Sequence, residues 1–377
     1  MTDTGGAGPP DDPTHDAPAT DRPSNLSTLF PGYFALVMAT GIVAIGAEQQ
    51  ELSLLADGLY GIAAAAYVSL LVLTIARLVR FPRRLIHDLT SHAKGFAFLT
   101  IVAGTNVLGS ASGITQGWWD LALLLWLTSI CLWTVLVYAT LIAVVLRSPK
   151  PGLGAGINGT WFLLTVSTES VAVLGALLLP FHPSETLAFL CLAAFLLGIV
   201  LYLIVMTMVF LRWTFHALEP TEAAPPAWIA AGAVAITVLA GSNLLGAAGI
   251  MGEAFSPQVE VVVSRIERVA PLLEGMVVLA WATATFWFPL MIAIGVWRHL
   301  IWRVPLRYDP AYWALVFPLG MYSVATFKML AVLGPSTLDW LPKVAFIVAT
   351  AAWTATFAGL AHGGTSAAAR SRRRCQG

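Results

Sequence analysis

Thr100-Ile-Val-Ala-Gly-Thr-Asn-Val-Leu-Gly109 is answered in the second half of the chain by Thr237-Val-Leu-Ala-Gly-Ser-Asn-Leu-Leu-Gly246. Both copies lie in apolar runs long enough to cross a bilayer, which takes about 20 residues. An amide flanked by glycines at membrane depth is costly unless it faces a neighbouring helix or a wet cavity. Its recurrence points to a repeated helical unit around a shared pathway, the layout of a channel or transporter.

The composition agrees. Of 377 residues, 58% are hydrophobic and only 11% are charged, with a mean hydropathy of +0.80. No soluble fold of this size hides that much apolar surface, so the chain reads as an all-α polytopic membrane protein. Apolar runs bounded by charge, Gly or Pro fall near 30–48, 55–79, 95–113, 118–146, 156–179, 184–212, 228–249, 270–298, 308–333 and 337–361. They predict ten helices arranged as five hairpins. Residues 1–27, rich in Asp, Pro, Thr and Ala, read as a disordered cytoplasmic tail, residues 28–362 as the transmembrane domain, and residues 363–377 as a basic cytoplasmic tail.

Zero net charge hides an ordered distribution. With ten crossings, sixteen of the twenty Lys and Arg fall on the side of the termini, among them Arg77, Arg80, Arg147, Arg298 and Arg307. The opposite side collects Glu48, Glu51, Asp57, Asp120, Glu185, Glu253 and Glu260. The positive-inside rule then puts both termini in the cytoplasm and the protein in the plasma (inner) membrane. Arg370, Arg372, Arg373 and Arg374 read as an anchor to anionic lipid rather than a nucleic-acid site. Three scattered cysteines give no disulfide framework, and the histidines fall in tails, loops or near helix ends, so no metal or other cofactor is expected.

Odd and even spans differ in character. Odd spans carry Thr40-Gly41, the two repeated phrases, the Thr165 to Gly175 stretch and Gly320, while even spans are Leu-, Val- and aromatic-rich. Glycine and small hydroxyl residues allow helices to approach and bond each other, and leucine-rich faces suit lipid. The pattern predicts an inner ring of odd helices around a pore, sheathed by even ones. Thr40, Gly41, Thr105, Asn106, Ser242 and Asn243 are its candidate lining residues, with interhelical packing as the competing role. The amides and hydroxyls could replace part of an anion's hydration.

Ionisable groups inside spans cost roughly 2.5–3.5 kcal/mol each on insertion scales. Lys328, about 18 residues or roughly 27 Å along the ninth span, can snorkel outward. Glu169, about 13 residues or roughly 20 Å along the fifth, cannot do so easily. It either pairs with Lys328 across a common lumen or stays protonated. The second case admits proton coupling or a plain structural role.

Pro31-Gly-Tyr-Phe-Ala-Leu-Val-Met-Ala-Thr-Gly41-Ile resembles the first-helix signature of the tellurite-resistance/C4-dicarboxylate transporter family, whose relatives include plant slow-type anion channels and fungal malate and sulfite transporters. Trp287-Phe-Pro-Leu through Trp297-Arg-His299, and Val316-Phe-Pro-Leu-Gly-Met-Tyr-Ser323, are similar to a bacterial branch of it. The likeness covers about residues 28 to 362. It implies a homotrimer in which each subunit has its own pore, lined by five kinked odd helices. It also implies a phenylalanine plug on the ninth helix, a position matched by Phe317 before the helix-bending Pro318.

Two functions follow. One is passage of small anions, inorganic monovalent ions or small organic acids, through a central pore gated by Phe317. The other is proton-coupled carriage of C4-dicarboxylate, sulfite or tellurite-type anions with Glu169 as the coupling group. An enzyme is not expected, because no His-Glu-x-x-His, intramembrane aspartate pair or Ser/His arrangement occurs.

Overall fold

Lipid offers no hydrogen-bond partner, so a spanning segment must satisfy its own backbone, and ten segments here do so as helices. The computed structural model describes residues 26–217, 219, 225–252 and 257–375. Most of the N-terminal tail expected over 1–27 therefore lies outside the described residues. Among the described residues the ten apolar helices are α1 (Pro31–Gln49), α2 (Ser53–Arg80), α3 (Gly95–Gln116), α4 (Trp119–Leu146), α5 (Gly159–Leu178), α6 (Glu185–Phe215), α7 (Pro225–Met251), α8 (Val259–Ile301), α9 (Pro310–Leu333) and α10 (Ser336–His362). The protein is an all-α, multi-pass membrane protein.

The alternation read from composition is borne out by packing. Odd helices bury 67–94% of their most apolar stretch inside the protein, and even helices only 11–33% of theirs. The odd helices close a ring, α1 on α3, α3 on α5, α5 on α7, α7 on α9 and α9 back on α1. Each packs antiparallel on the even helix that follows it, and each even helix also touches the next odd one, α10 returning to α1. Two boundaries differ from the sequence reading. The eighth helix begins near residue 257 rather than 270, because its charged first turns project beyond the apolar stretch and Arg265 pairs with Glu185 of α6 at 2.5 Å. The last helix runs on to Cys375, through the stretch read as a tail.

All five odd helices begin with a 3-10 turn on the basic face. In α1, α7 and α9 that turn contains proline at its start, where a missing N–H costs nothing. In α5 and α9 a side chain caps it: Asn158 Oδ1 accepts from the Thr160 amide and Asp309 Oδ1 from the Ala311 amide, each at 2.8 Å. The starts of α5 and α7 meet so closely that a Cβ on Gly159 would fall onto the Pro226 carbonyl. That close approach defines one wall of the basic-face mouth.

The chain enters α1 over a buried charge. Arg77, at the end of α2, donates to the Leu29 carbonyl at 2.9 Å, to the Ser27 carbonyl at 3.3 Å and to Asp88 at 2.6 Å. Asp88 lies on the short helix Pro82–Leu89 and also takes Lys94 at 3.2 Å. Burial alone would raise the Asp88 carboxyl, but hydrogen bonds and charge from Arg77 and Lys94 outweigh it and hold it below its ordinary value. A depressed carboxylate contributes stability that is complete above the unfolded pKa, about 4, and is lost as pH falls through the folded one. Asp88→Asn leaves Arg77 buried and underpaired and should cost about 2–3 kcal/mol at neutral pH. Thermal unfolding in detergent checks this: the wild-type midpoint should fall on acidification below about pH 4, and the variant's advantage-free midpoint should drop less over the same range.

Candidate functional site

Two cavities lie along the axis of the odd ring, and each is lined by all five odd helices. The basic-face cavity is a narrow space between Ala35 and Met38 of α1, Ala97 and Thr100 of α3, Leu163 of α5, Ile229 of α7, and Ala314 and Phe317 of α9. It shares Phe30, Thr160, Pro226, Pro310 and Ala311 with a wide vestibule of about 600 Å³, open to the basic face and also touched by Arg212 and Asp309. The acidic-face cavity is narrow, with room for about 20 Å³. Ile42 and Gln49 of α1, Asn106 and Ser110 of α3, Ser170 and Val173 of α5, Ile236 and Asn243 of α7, and Met321 and Lys328 of α9 line it.

The seam between the cavities is short. On α9 it separates Phe317 from Met321, and on α1 Met38 from Ile42, one helical turn in each case. Phe317 is 2% exposed. Pro318 beside it packs on α7, where a Cβ on Gly232 would come within 2.7 Å of the proline ring.

Of the residues read as lining, Asn106, Asn243 and Lys328 reach the acidic-face cavity. Asn106 Nδ2 donates to Ser170 Oγ at 2.9 Å, and its Oδ1 accepts from Ser129 Oγ of α4 at 2.7 Å. Asn243 Nδ2 donates to the Val173 carbonyl at 3.4 Å. The amides thus bridge helices and face the cavity at once, so the two roles weighed for them coexist.

The others turn away from the axis. Thr40 Oγ1 accepts from Trp353 Nε1 of α10 at 3.0 Å, and Thr105 shares a 2.9 Å bond with the Tyr67 hydroxyl of α2. Gly41 faces Val107 of α3, whose methyl would meet a Cβ there at 2.7 Å. Ser242 is buried with no hydrogen-bond partner for its hydroxyl and lines neither cavity. Glu169 is fully buried between α5, α6 and α7. Its Oε1 accepts from Thr237 at 2.9 Å, and the carboxyl fits only because α6 presents Gly198, where a Cβ would collide with it. The ion pair with Lys328 does not form among the described residues: the carboxyl is held by Thr237 against α6, whereas Lys328 lines the acidic-face cavity.

Sequence reasoning missed the aromatic tips that take up these outward hydroxyls. Trp133 Nε1 donates to Thr168 at 2.9 Å, Trp281 Nε1 to Thr326 at 3.2 Å, and Trp353 Nε1 to Thr40, each from an even helix to an odd one. Tyr60 of α2 bonds Ser112 of α3 at 3.1 Å, and in the opposite sense Tyr322 of α9 bonds Thr285 of α8 at 2.8 Å. A Trp or Tyr facing lipid with one polar tip needs such an inward partner, which was the available signal. Among the described residues, no group of three or more His, Cys, Asp or Glu could hold a metal ion.

Known proteins align with this architecture along its length. The model of a family described as voltage-dependent anion channel matches residues 28–361. An uncharacterised membrane protein of Mycobacterium tuberculosis (strain ATCC 25618 / H37Rv) is 34% identical over 162 residues, covering 43% of this chain and 76% of that protein. Two uncharacterised transporters of Methanocaldococcus jannaschii are 21% and 22% identical over 320 and 330 residues, covering 82% and 84% of this chain and 87% and 88% of their own.

The two asparagines of the repeated phrase differ in what they hold. Asn106→Ala removes bonds to two helices and should lower stability by about 1–3 kcal/mol, while Asn243→Ala, losing one long bond, should cost less than about 1 kcal/mol. Thermal unfolding of the two purified variants measures the difference.

Proposed function

The chain belongs to the voltage-dependent anion channel family, and from that premise we propose that it conducts small anions along the axis of the odd ring, with Phe317 as the gate and Pro318 shaping the helix beside it. Membership points to a membrane transporter of an anion-moving family rather than to an enzyme. The observation that carries the finer reading is the pair of axial cavities meeting at Phe317, each walled by the same five helices. An aromatic ring at the narrowest seam of an apolar path blocks hydrated ions. The rest of the domain layout is proposed on the same footing: residues 28–362 form the pathway, both termini are cytoplasmic in a plasma membrane, and three copies assemble, each with its own pore.

The walls suit conduction more than tight carriage. Apart from Lys328, the acidic-face cavity presents neutral amides and hydroxyls among Ile, Val and Leu, and weak binding lets an ion leave as readily as it enters. Shortening Phe317 to alanine should raise chloride conductance severalfold in planar bilayers, with the anion selectivity retained. A current equal to or below wild type in a well-folded variant would remove the gate from the reading.

Proton-coupled carriage needs a carboxyl that exchanges with the path, and Glu169 faces Thr237 and Gly198 instead. The role that fits this placement is a hydrogen-bonded joint between α5, α6 and α7. Glu169→Gln keeps an acceptor for Thr237, so anion flux into vesicles should keep its wild-type dependence on pH from 5 to 8. Glu169→Ala should lower the thermal midpoint without changing that profile. A pH dependence present in wild type and absent in the glutamine variant would restore the carrier.

A further inference from the structure

The acidic-face cavity has a charge of its own, and the donors around it are unequally engaged. Asn106 and Asn243 each commit an N–H to a neighbouring helix, and the hydroxyls of Ser110 and Ser170 donate to the Asn106 and Ser167 carbonyls at 2.9 and 2.7 Å. Two lining side chains stand apart. Gln49, at the last turn of α1, has both its side-chain nitrogen and its oxygen buried with no hydrogen-bond partner. Lys328 of α9 has no carboxylate partner among the described ion pairs. A buried amide and an ammonium without partners are both expensive in an apolar cavity, and a ligand that accepts hydrogen bonds and carries negative charge relieves both.

From this we infer that Lys328 and Gln49 form a binding site for one small monovalent anion at the acidic-face end of the axis. The inference rests on the proposed anion pathway and names the class of ion it selects. Charge decides the class. The cavity offers one cation, and beside the amides and hydroxyls already engaged its walls are apolar, Ile42, Ile45, Val107 and Val173 among them. A C4-dicarboxylate would satisfy one carboxylate at Lys328 and press the other against hydrocarbon, a cost of several kcal/mol for an uncompensated ion. Chloride and nitrate meet no such penalty. The acidic face makes a cation necessary there: Glu48, next to Gln49, Glu51 and Asp57 surround this end of the bundle. Glu48 is held by Ser53 at 3.3 Å and Asp57 by Gln116 at 2.5 Å, and neither lines the cavity.

The test uses the full chain purified into potassium-loaded liposomes and planar bilayers, with potassium chloride, nitrate and succinate as probes. In wild type, chloride flux should saturate, nitrate should compete with it, and succinate at equal concentration should not. Lys328→Gln should raise the half-saturating chloride concentration about ten-fold and move the reversal potential in a potassium chloride gradient away from that of chloride, while Lys328→Arg keeps both. Gln49→Leu, which keeps the charge, should raise half-saturation by a smaller factor and leave the reversal potential in place. Wild-type saturation and selectivity in Lys328→Gln overturn the site while leaving the pathway standing. If that variant does not purify folded, unchanged half-saturation in Gln49→Leu overturns it instead. Succinate competing as well as nitrate overturns the single-charge assignment. Absence of anion flux from both wild type and Phe317→Ala overturns the pathway itself, and this site with it.

Discussion

Every polar group at membrane depth must find its partner within the protein, and this constraint organises the whole bundle. Backbone groups meet it by forming helices. Side chains meet it by orientation, so helices that carry hydroxyls, amides and a carboxyl turn inward and those that carry leucine turn out. The five odd helices are therefore packed on all sides, and the even ones only along one stripe. The even helices are more than a lipid coat. Their Trp and Tyr tips reach inward to Thr40, Thr105, Ser112, Thr168 and Thr326, so each layer satisfies the other. Removing the sheath would leave those hydroxyls facing hydrocarbon.

That arrangement leaves the axis with few unengaged polar groups, which is why the proposed path is mostly apolar. Apolar walls bind ions weakly, and a narrow apolar seam is where an aromatic ring obstructs most. Phe317 stands there with Met38 of α1 on the same cavity wall. The helix bearing Phe317 continues into Pro318, which cannot donate a backbone bond to the preceding turn. Gly232 of α7 lies close against that proline, so α9 and α7 pack tightly beside the ring.

The number of spans and the two-layer plan were legible in the sequence, because they depend on composition averaged over about 20 residues. Which residues face the axis was not. Thr105 and Asn106 are neighbours in the repeated phrase, yet one bonds Tyr67 in the outer layer and the other lines the cavity. Glu169 and Ser170 divide in the same way, the carboxyl toward α6 and α7 and the serine toward the lumen. Successive side chains on a helix point about 100° apart, as 3.6 residues per turn requires. On a helix buried all round, no solvent face reveals the phase of that rotation. Only tertiary packing fixes it, so a polar residue in an odd span was identifiable as inward in layer but not as inward in direction.

The repeated phrase illustrates the point from the other side. Its two copies sit on α3 and α7, on either side of α5, and each asparagine bonds α5 while facing the same cavity. The hydroxyl residue before each asparagine, Thr105 or Ser242, is off the axis in both. The leading threonines have diverged: Thr100 lines the basic-face cavity and bonds the Ala97 and Pro31 carbonyls, whereas Thr237 holds Glu169. The asparagine is thus the part of the phrase that geometry repeats. Two amides gripping the same middle helix from opposite sides fix its rotation, and in doing so they fix where Ser170 and Val173 meet the lumen. The polar groups that recur in the sequence act first to set the shape of the cavity, and their place on its wall is a consequence of that shape.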